Sequence, residues 1–141
     1  MYESLLSEAY EEQVEVFDFP LRDRTKGLCH NNVIAINSNI PTTAEKTCIL
    51  AEELGHYYTS VGNILDQAPL PHKKQEVLAR RWAYRRLIPL GKLVDAYMSG
   101  FRTCHELAEY FNVTEPFLIS VLQYYITRYG FYEGNCLTAI G

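Results

Sequence analysis

Between Tyr2 and Gln13, Leu5, Leu6, Ala9 and Tyr10 recur at helical spacing among acidic residues, which predicts an amphipathic helix. The period then changes. Val14 to Phe19 carries β-branched and aromatic residues, and Pro20 closes it, so this stretch reads as a strand. Arg22 to Lys26 is a polar loop. Gly27–His30 and Val33–Asn37 read as the two arms of a hairpin, with Asn31-Asn32 at the turn, because Asn tolerates left-handed backbone angles. Together the three short strands predict a small antiparallel sheet.

Past Pro41 the pattern becomes helical. Thr42 and Glu45 form the T-x-x-E of a capping box, and the helix they open is expected to reach about Thr59, before Gly62 and Asn63. Asp66 to Pro71, with two prolines, reads as a loop. A second helix is predicted from Lys73 to Leu87, with Val77, Leu78, Trp82 and Ala83 among its apolar positions and Pro89 as its stop. The remainder predicts short helices: Leu90 to Met98, then one opened by the Thr103/Glu106 capping box and running through Tyr110. A third is capped by Thr114, with Glu115 and Pro116 in its first turn. The last two, joined by Asn112-Val113, have the spacing of a helix-turn-helix. Gly130 onward reads as irregular, with room for a final short strand. No internal repeat and no low-complexity segment is present. The expected architecture is α+β: a core over 1–89, and a helical tail over 90–141 packed on it.

Composition narrows the function classes. Of 141 residues, 48% are hydrophobic and 21% charged, enough to build a core and too few charges for a disordered chain. The net charge of −4 argues against a phosphate-tracking surface. Basic residues cluster once, at Lys73, Lys74, Arg80, Arg81, Arg85 and Arg86, where a solvated helix face explains them. The helix opened by Thr114 begins Glu115-Pro116-Phe117-Leu118 and has no basic residue before Arg128, so DNA reading is not expected. Cys29, Cys48, Cys104 and Cys136 form no C-x-x-C pair, and Cys48 and Cys104 read as small core residues. The opening residues lack a basic, apolar leader, and no apolar run has the length of a membrane span. A soluble cytoplasmic protein with reduced thiols is the expectation.

The residues with chemistry in them lie in the middle of the Thr42-capped helix, in Ala51-Glu52-Glu53-Leu54-Gly55-His56. Glu52 and His56 are four apart and share a face, and Glu53 sits at its edge. This is the spacing of H-E-x-x-H, in which the outer positions hold zinc and the second residue acts on bound water, with glutamate in the first place. The plain alternative is an exposed acidic face beside a histidine. Against it, Ile49, Leu50, Ala51, Leu54 and Tyr58 would place the helix inside the domain, where paired carboxylates are costly without a compensating cation or donor. Gly55 costs about 1 kcal/mol in a helix relative to Ala, which points to a close approach at that position. The second helix carries Glu76 in E-x-x-A-R-x-W-A, and antiparallel packing could bring Glu76 beside His56.

These segments resemble the ImmA/IrrE family of metallo-endopeptidases, found on phages and integrative elements, whose members cleave or antagonise a repressor. The matching pieces are Val33–Asn37 before the helix, Ala-Glu-Glu-Leu-Gly-His at 51–56, and Glu76-x-x-Ala79 followed by Trp82-Ala83 and Leu87-Ile88-Pro89. By that resemblance His56 and Glu76 would be metal ligands, Glu53 the general base and Zn2+ the metal. The family has histidine where this chain has Glu52, which would be a third ligand or a salt-bridged neighbour of the ligands. Two carboxylates would cancel the cation's charge, weaken its hold on water and admit Mn2+ or Fe2+. Tyr57, Tyr58 and His72 are candidate oxyanion donors, and Val33–Asn37 is a candidate edge for an extended substrate. His30 and His105 show no partner pattern. The implied partner is a phage or mobile-element repressor protein, without direct contact to nucleic acid or membrane. The implied role is its cleavage, or its neutralisation by binding if catalysis has weakened.

Overall fold

The computed structural model describes residues 1–66 and 71–130, and of residues 61–66 only the backbone. The order of elements is α1 (Tyr2–Glu11), β1 (Glu15–Phe19), β2 (Gly27–His30), β3 (Val33–Asn37), α2 (Thr43–Asp66), α3 (His72–Leu87), α4 (Leu90–Met98), α5 (Cys104–Phe111) and α6 (Glu115–Tyr129). The chain divides into two compact units, Met1–Ala83 and Tyr84–Gly141, with the boundary inside α3. No helix among the described residues is long and apolar enough to cross a membrane.

In the first unit the architecture is α+β, as expected, but the sheet is mixed and not antiparallel. Its order is β1-β3-β2. β2 pairs antiparallel with β3 through the Asn31-Asn32 turn, where Asn31 takes φ 53°, and β1 pairs parallel with β3, with Glu15 opposite Val33 and Phe19 opposite Asn37. The physical reason is hydrophobicity. β3 holds Ile34 and Ile36, both fully buried, and takes the central place where both its edges are bonded. The loop after β1 therefore has to step across one strand position. Asn37 secures that loop: its buried amide Nδ2 donates to Thr25 O at 2.8 Å and to Leu21 O at 3.4 Å, while its Oδ1 accepts from Asn39 N at 3.1 Å. As a central strand, β3 cannot supply the free edge expected of Val33–Asn37, so the edges are β1 and β2.

Helix α2 crosses this unit with Leu50, Ala51 and Leu54 fully buried, packed against α1, β2 and β3. Thr42 Oγ1 accepts from Glu45 N at 3.1 Å, and the Glu45 carboxylate reaches Lys26 at 3.0 Å. The helix continues to Asp66, past the expected stop, because one glycine's cost of about 1 kcal/mol does not end a helix anchored by packing. The loop residues 67–70 and the final strand expected after Gly130 lie outside the described residues.

The second unit is helical. The Thr103 capping box is present in both directions, Asn112 ends α5 in the left-handed region, and Thr114 Oγ1 accepts from Phe117 N. Leu107, Leu118, Val121 and Leu122 form the buried face between α5 and α6. Cys104, expected in the core, stands half-exposed at the first position of α5, whereas Cys48 is buried. His105 is not without partners: its Nδ1 lies 3.0 Å from Glu115 and its Nε2 3.3 Å from Glu109. Tyr125 is 2% exposed and donates its hydroxyl to Ile88 O at 2.7 Å. Burial first, and then the neighbouring Tyr124 and Tyr129, push its pKa up to about 12.

Tyr125→Phe removes the hydroxyl that donates to that carbonyl while keeping the ring. The expected loss is about 1–2 kcal/mol of stability, read as a fall in the urea midpoint with no change in the slope of the transition.

Candidate functional site

The site is built where α2 and α3 come closest. Gly55 faces the backbone of Ala79, and a methyl group added to it would overlap Ala79 O and lie 2.9 Å from Ala79 Cα. The missing side chain is what lets the two helices meet, as the mid-helix glycine implied. One position along α2 and one turn back along α3, His56 Nε2 and Glu76 Oε1 are 3.3 Å apart, both part-buried. His72, at the start of α3, adds its Nε2 at 3.6 Å from the same oxygen and is otherwise exposed. Tyr58 stacks on Trp82 at 5.0 Å and so supports the helix pair, with Tyr57 edge-on to it at 5.3 Å.

Glu53 points to the sheet. Gly27, the first residue of β2, presses on it: a methyl group there would lie 3.2 Å from both Glu53 Cγ and Oε1, and 2.7 Å from Ile49 Cγ2. Cys29, two residues along β2, is on the same face, and its thiol is pushed up to about 11 by burial and then by the Glu53 charge. Glu53 itself is raised to about 7, first by desolvation and then by the negative charges of Glu52 and Glu76. Glu52 is raised by burial and by Glu76, and opposed by Arg80 and Lys26. Glu52 and Glu76 therefore act on Glu53, and Glu76 on Glu52, in a partly desolvated space. Neither Gly27, Cys29, Arg80 nor Lys26 was marked by the sequence patterns, because each meets the site only through tertiary packing.

Does this set suit a cation? Two ligands of a tetrahedral zinc, each about 2.0–2.1 Å from the metal, stand roughly 3.3 Å apart. The His56–Glu76 separation matches that spacing, and the excess of negative charge around Glu53 is what a divalent cation relieves. The fit covers two donors. Among the described residues no group of three or more His, Cys, Asp or Glu side chains is arranged to hold a metal ion.

Residues 8–120 match the IrrE N-terminal-like domain, a peptidase family. The chain belongs to that family. Membership supports a metallopeptidase-like function for this ImmA/IrrE-family protein, and the matched range takes in Glu52, Glu53, His56 and Glu76. No curated protein and no solved structure matches the chain significantly.

Two outcomes follow from the geometry. Gly55→Ala forces the α2–α3 backbones apart and is expected to cost ~3 kcal/mol or more, measured by thermal or urea unfolding. Glu53 has a folded-state pKa above its unfolded value, so the native state favours its protonated form and loses stability as pH rises from about 4.5 through about 7. In metal-free protein Glu53→Gln should therefore stabilise the fold at pH 8, by ~2 kcal/mol, with the gap closing below pH ~4.5.

Proposed function

We propose that this family member is a metal-dependent endopeptidase in which His56 and Glu76 hold the cation, Glu53 is the general base, and the substrate is a phage or mobile-element repressor. The observation that carries the reading is the convergence of His56 Nε2 and Glu76 Oε1 from separate helices to 3.3 Å, with Glu53 one turn away on α2. A cation there, Zn2+ or alternatively Mn2+ or Fe2+, would supply polarisation of water and of the scissile carbonyl. The protein's own residues do the rest. Glu53, held near neutrality, takes a proton from the attacking water and returns it to the departing amine. The backbone of β2 over Glu53 limits the carboxylate's swing and keeps bulk water from its inner face. His72, exposed and 3.6 Å from Glu76, is the donor this reading assigns to the oxyanion. The repressor as target rests on the family resemblance.

A second reading is favoured by one feature. Glu52 stands where the family has histidine, and it faces Arg80 and Lys26 as well as Glu76. A chain whose third ligand is engaged elsewhere would neutralise its repressor by binding without cutting it. Metal analysis and cleavage separate the two. Tag-free protein is expected to carry about one transition metal per chain, lost in His56→Ala and Glu76→Ala. Incubated with the repressor encoded beside it, the wild-type chain should cleave, and Glu53→Gln should cut at least ~100-fold more slowly. Absence of metal, with no thermal shift on adding Zn2+, Mn2+ or Fe2+, would sink the peptidase reading. Tight repressor binding unchanged in Glu53→Gln would establish the second.

A further inference from the structure

The sheet has two edges, and only β2 runs over Glu53; β1 lies at the other side. We propose that the free edge of β1, with the groove beside it, docks a basic, extended polypeptide segment away from the chemical centre.

Four observations converge on this surface. First, β1 has unused backbone groups. Its ladder to β3 runs through the odd-numbered residues, as shown by Glu15 N donating to Asn32 O at 2.9 Å and Phe19 O accepting from Ser38 N at 3.0 Å. Val16 and Asp18 therefore turn both N–H and C=O outward, and among the described residues no strand pairs with them. Second, a groove of about 350 Å³ lies beside that edge, lined by Leu6, Tyr10, Val14, Glu15, Val16 and Phe17. Val16 and Phe17 point to opposite faces of a strand, so a groove lined by both follows the strand's free side. Third, its apolar walls are open to solvent: Tyr10 is 83% exposed and Phe17 49%. Long apolar side chains at an unpaired edge are what proteins normally avoid unless something binds there.

The fourth observation selects the occupant. Residues 1–21 contain Glu3, Glu8, Glu11, Glu12, Glu15 and Asp18, and no Lys or Arg. Glu11, Glu12 and Glu15 are exposed at the groove's end, and the carboxylates of Asp18 and Glu3 raise the pKa of Tyr2 after burial does. The cation facing this strand from α2 is Lys46, 3.9 Å from Asp18. Such a field repels nucleic-acid phosphates and anionic lipid and attracts Lys and Arg. An added strand places alternate side chains on alternate faces. Apolar residues would enter the groove and basic ones would lie over Glu11, Glu12 and Glu15. From the functional reading the proposal takes only that the partner is a polypeptide; docking does not require hydrolysis.

The test uses the full chain carrying Glu53→Gln in the presence of chelator, so that binding is read without turnover or metal. The probe is a fluorescein-labelled peptide alternating lysine and valine, with a matched peptide carrying glutamate for lysine, followed by anisotropy. The lysine peptide should bind at least about tenfold more tightly than the glutamate peptide, and added salt should weaken it. Val16→Pro removes an outward N–H at an edge position where proline is tolerated, and should reduce binding by about tenfold or more. The combined Glu11→Lys, Glu12→Lys and Glu15→Lys variant, whose sites are all exposed, should invert the peptide preference and guards against misfolding of the proline variant. Equal binding of both peptides, or unchanged binding in the charge-reversed variant, overturns the proposal. Undiminished binding in Val16→Pro also overturns it. Cleavage that fails while this binding persists refutes the hydrolytic reading alone.

Discussion

Two helices can approach to backbone contact only where a side chain is missing, and in this protein that position is Gly55. Its partner is Ala79, whose carbonyl and Cα occupy the space a methyl group would need. Everything chemical nearby takes its geometry from that contact. His56 follows Gly55 on α2, and Glu76 precedes Ala79 by one turn on α3, so the helices' closest point sets the separation of the imidazole and the carboxylate. Tyr58 against Trp82 then holds the same pair of helices further along. A larger residue at 55 would change the spacing between these side chains without touching either of them.

The second organising feature is an excess of negative charge placed where water is scarce. Glu53 feels Glu52 and Glu76, and Glu52 feels Glu76, while the nearby cations Arg80 and Lys26 offset the charge at Glu52. Glu53 is left under the β2 backbone with its proton held near neutrality. Such a set is unfavourable for folding alone, and folds keep arrangements of this kind where a bound cation or a proton transfer uses them. The placement of Gly27 and Cys29 over Glu53 joins the sheet to this balance: the strand shields the carboxylate, and the carboxylate in turn quiets the thiol.

Much of this was legible along the chain. Helical period and the E-E-x-x-H spacing put Glu53 and His56 on one helix and Glu76 on the next, and antiparallel packing of the two was enough to suggest that Glu76 meets His56. Thr103 and Thr114 cap where their hydroxyls and the residues three positions later require. The sheet was less legible. Period-two patterning shows that β1 is a strand but not which neighbour it takes, and a parallel pairing between residues near 15 and near 33 leaves no local signature. The same limit hid Gly27 and Cys29, whose meaning depends on what lies beneath β2. His105 was readable in part, since Glu109 is four residues on, whereas Glu115 comes from the next helix and is placed by the Asn112 turn.

Asn37 carries a consequence for chemical ageing. An asparagine followed by serine is prone to losing its amide nitrogen through attack by the next backbone nitrogen. Here that nitrogen belongs to Ser38 and is committed to Phe19 O at 3.0 Å, while the amide is tied to Thr25 O at 2.8 Å. The folded chain thus protects the residue it depends on. Once it has opened, conversion to aspartate would turn a donor into an acceptor facing two carbonyl oxygens, and the crossing loop could not re-form as before. Repeated unfolding would then leave a permanent chemical record at this one position, even where each refolding looked complete.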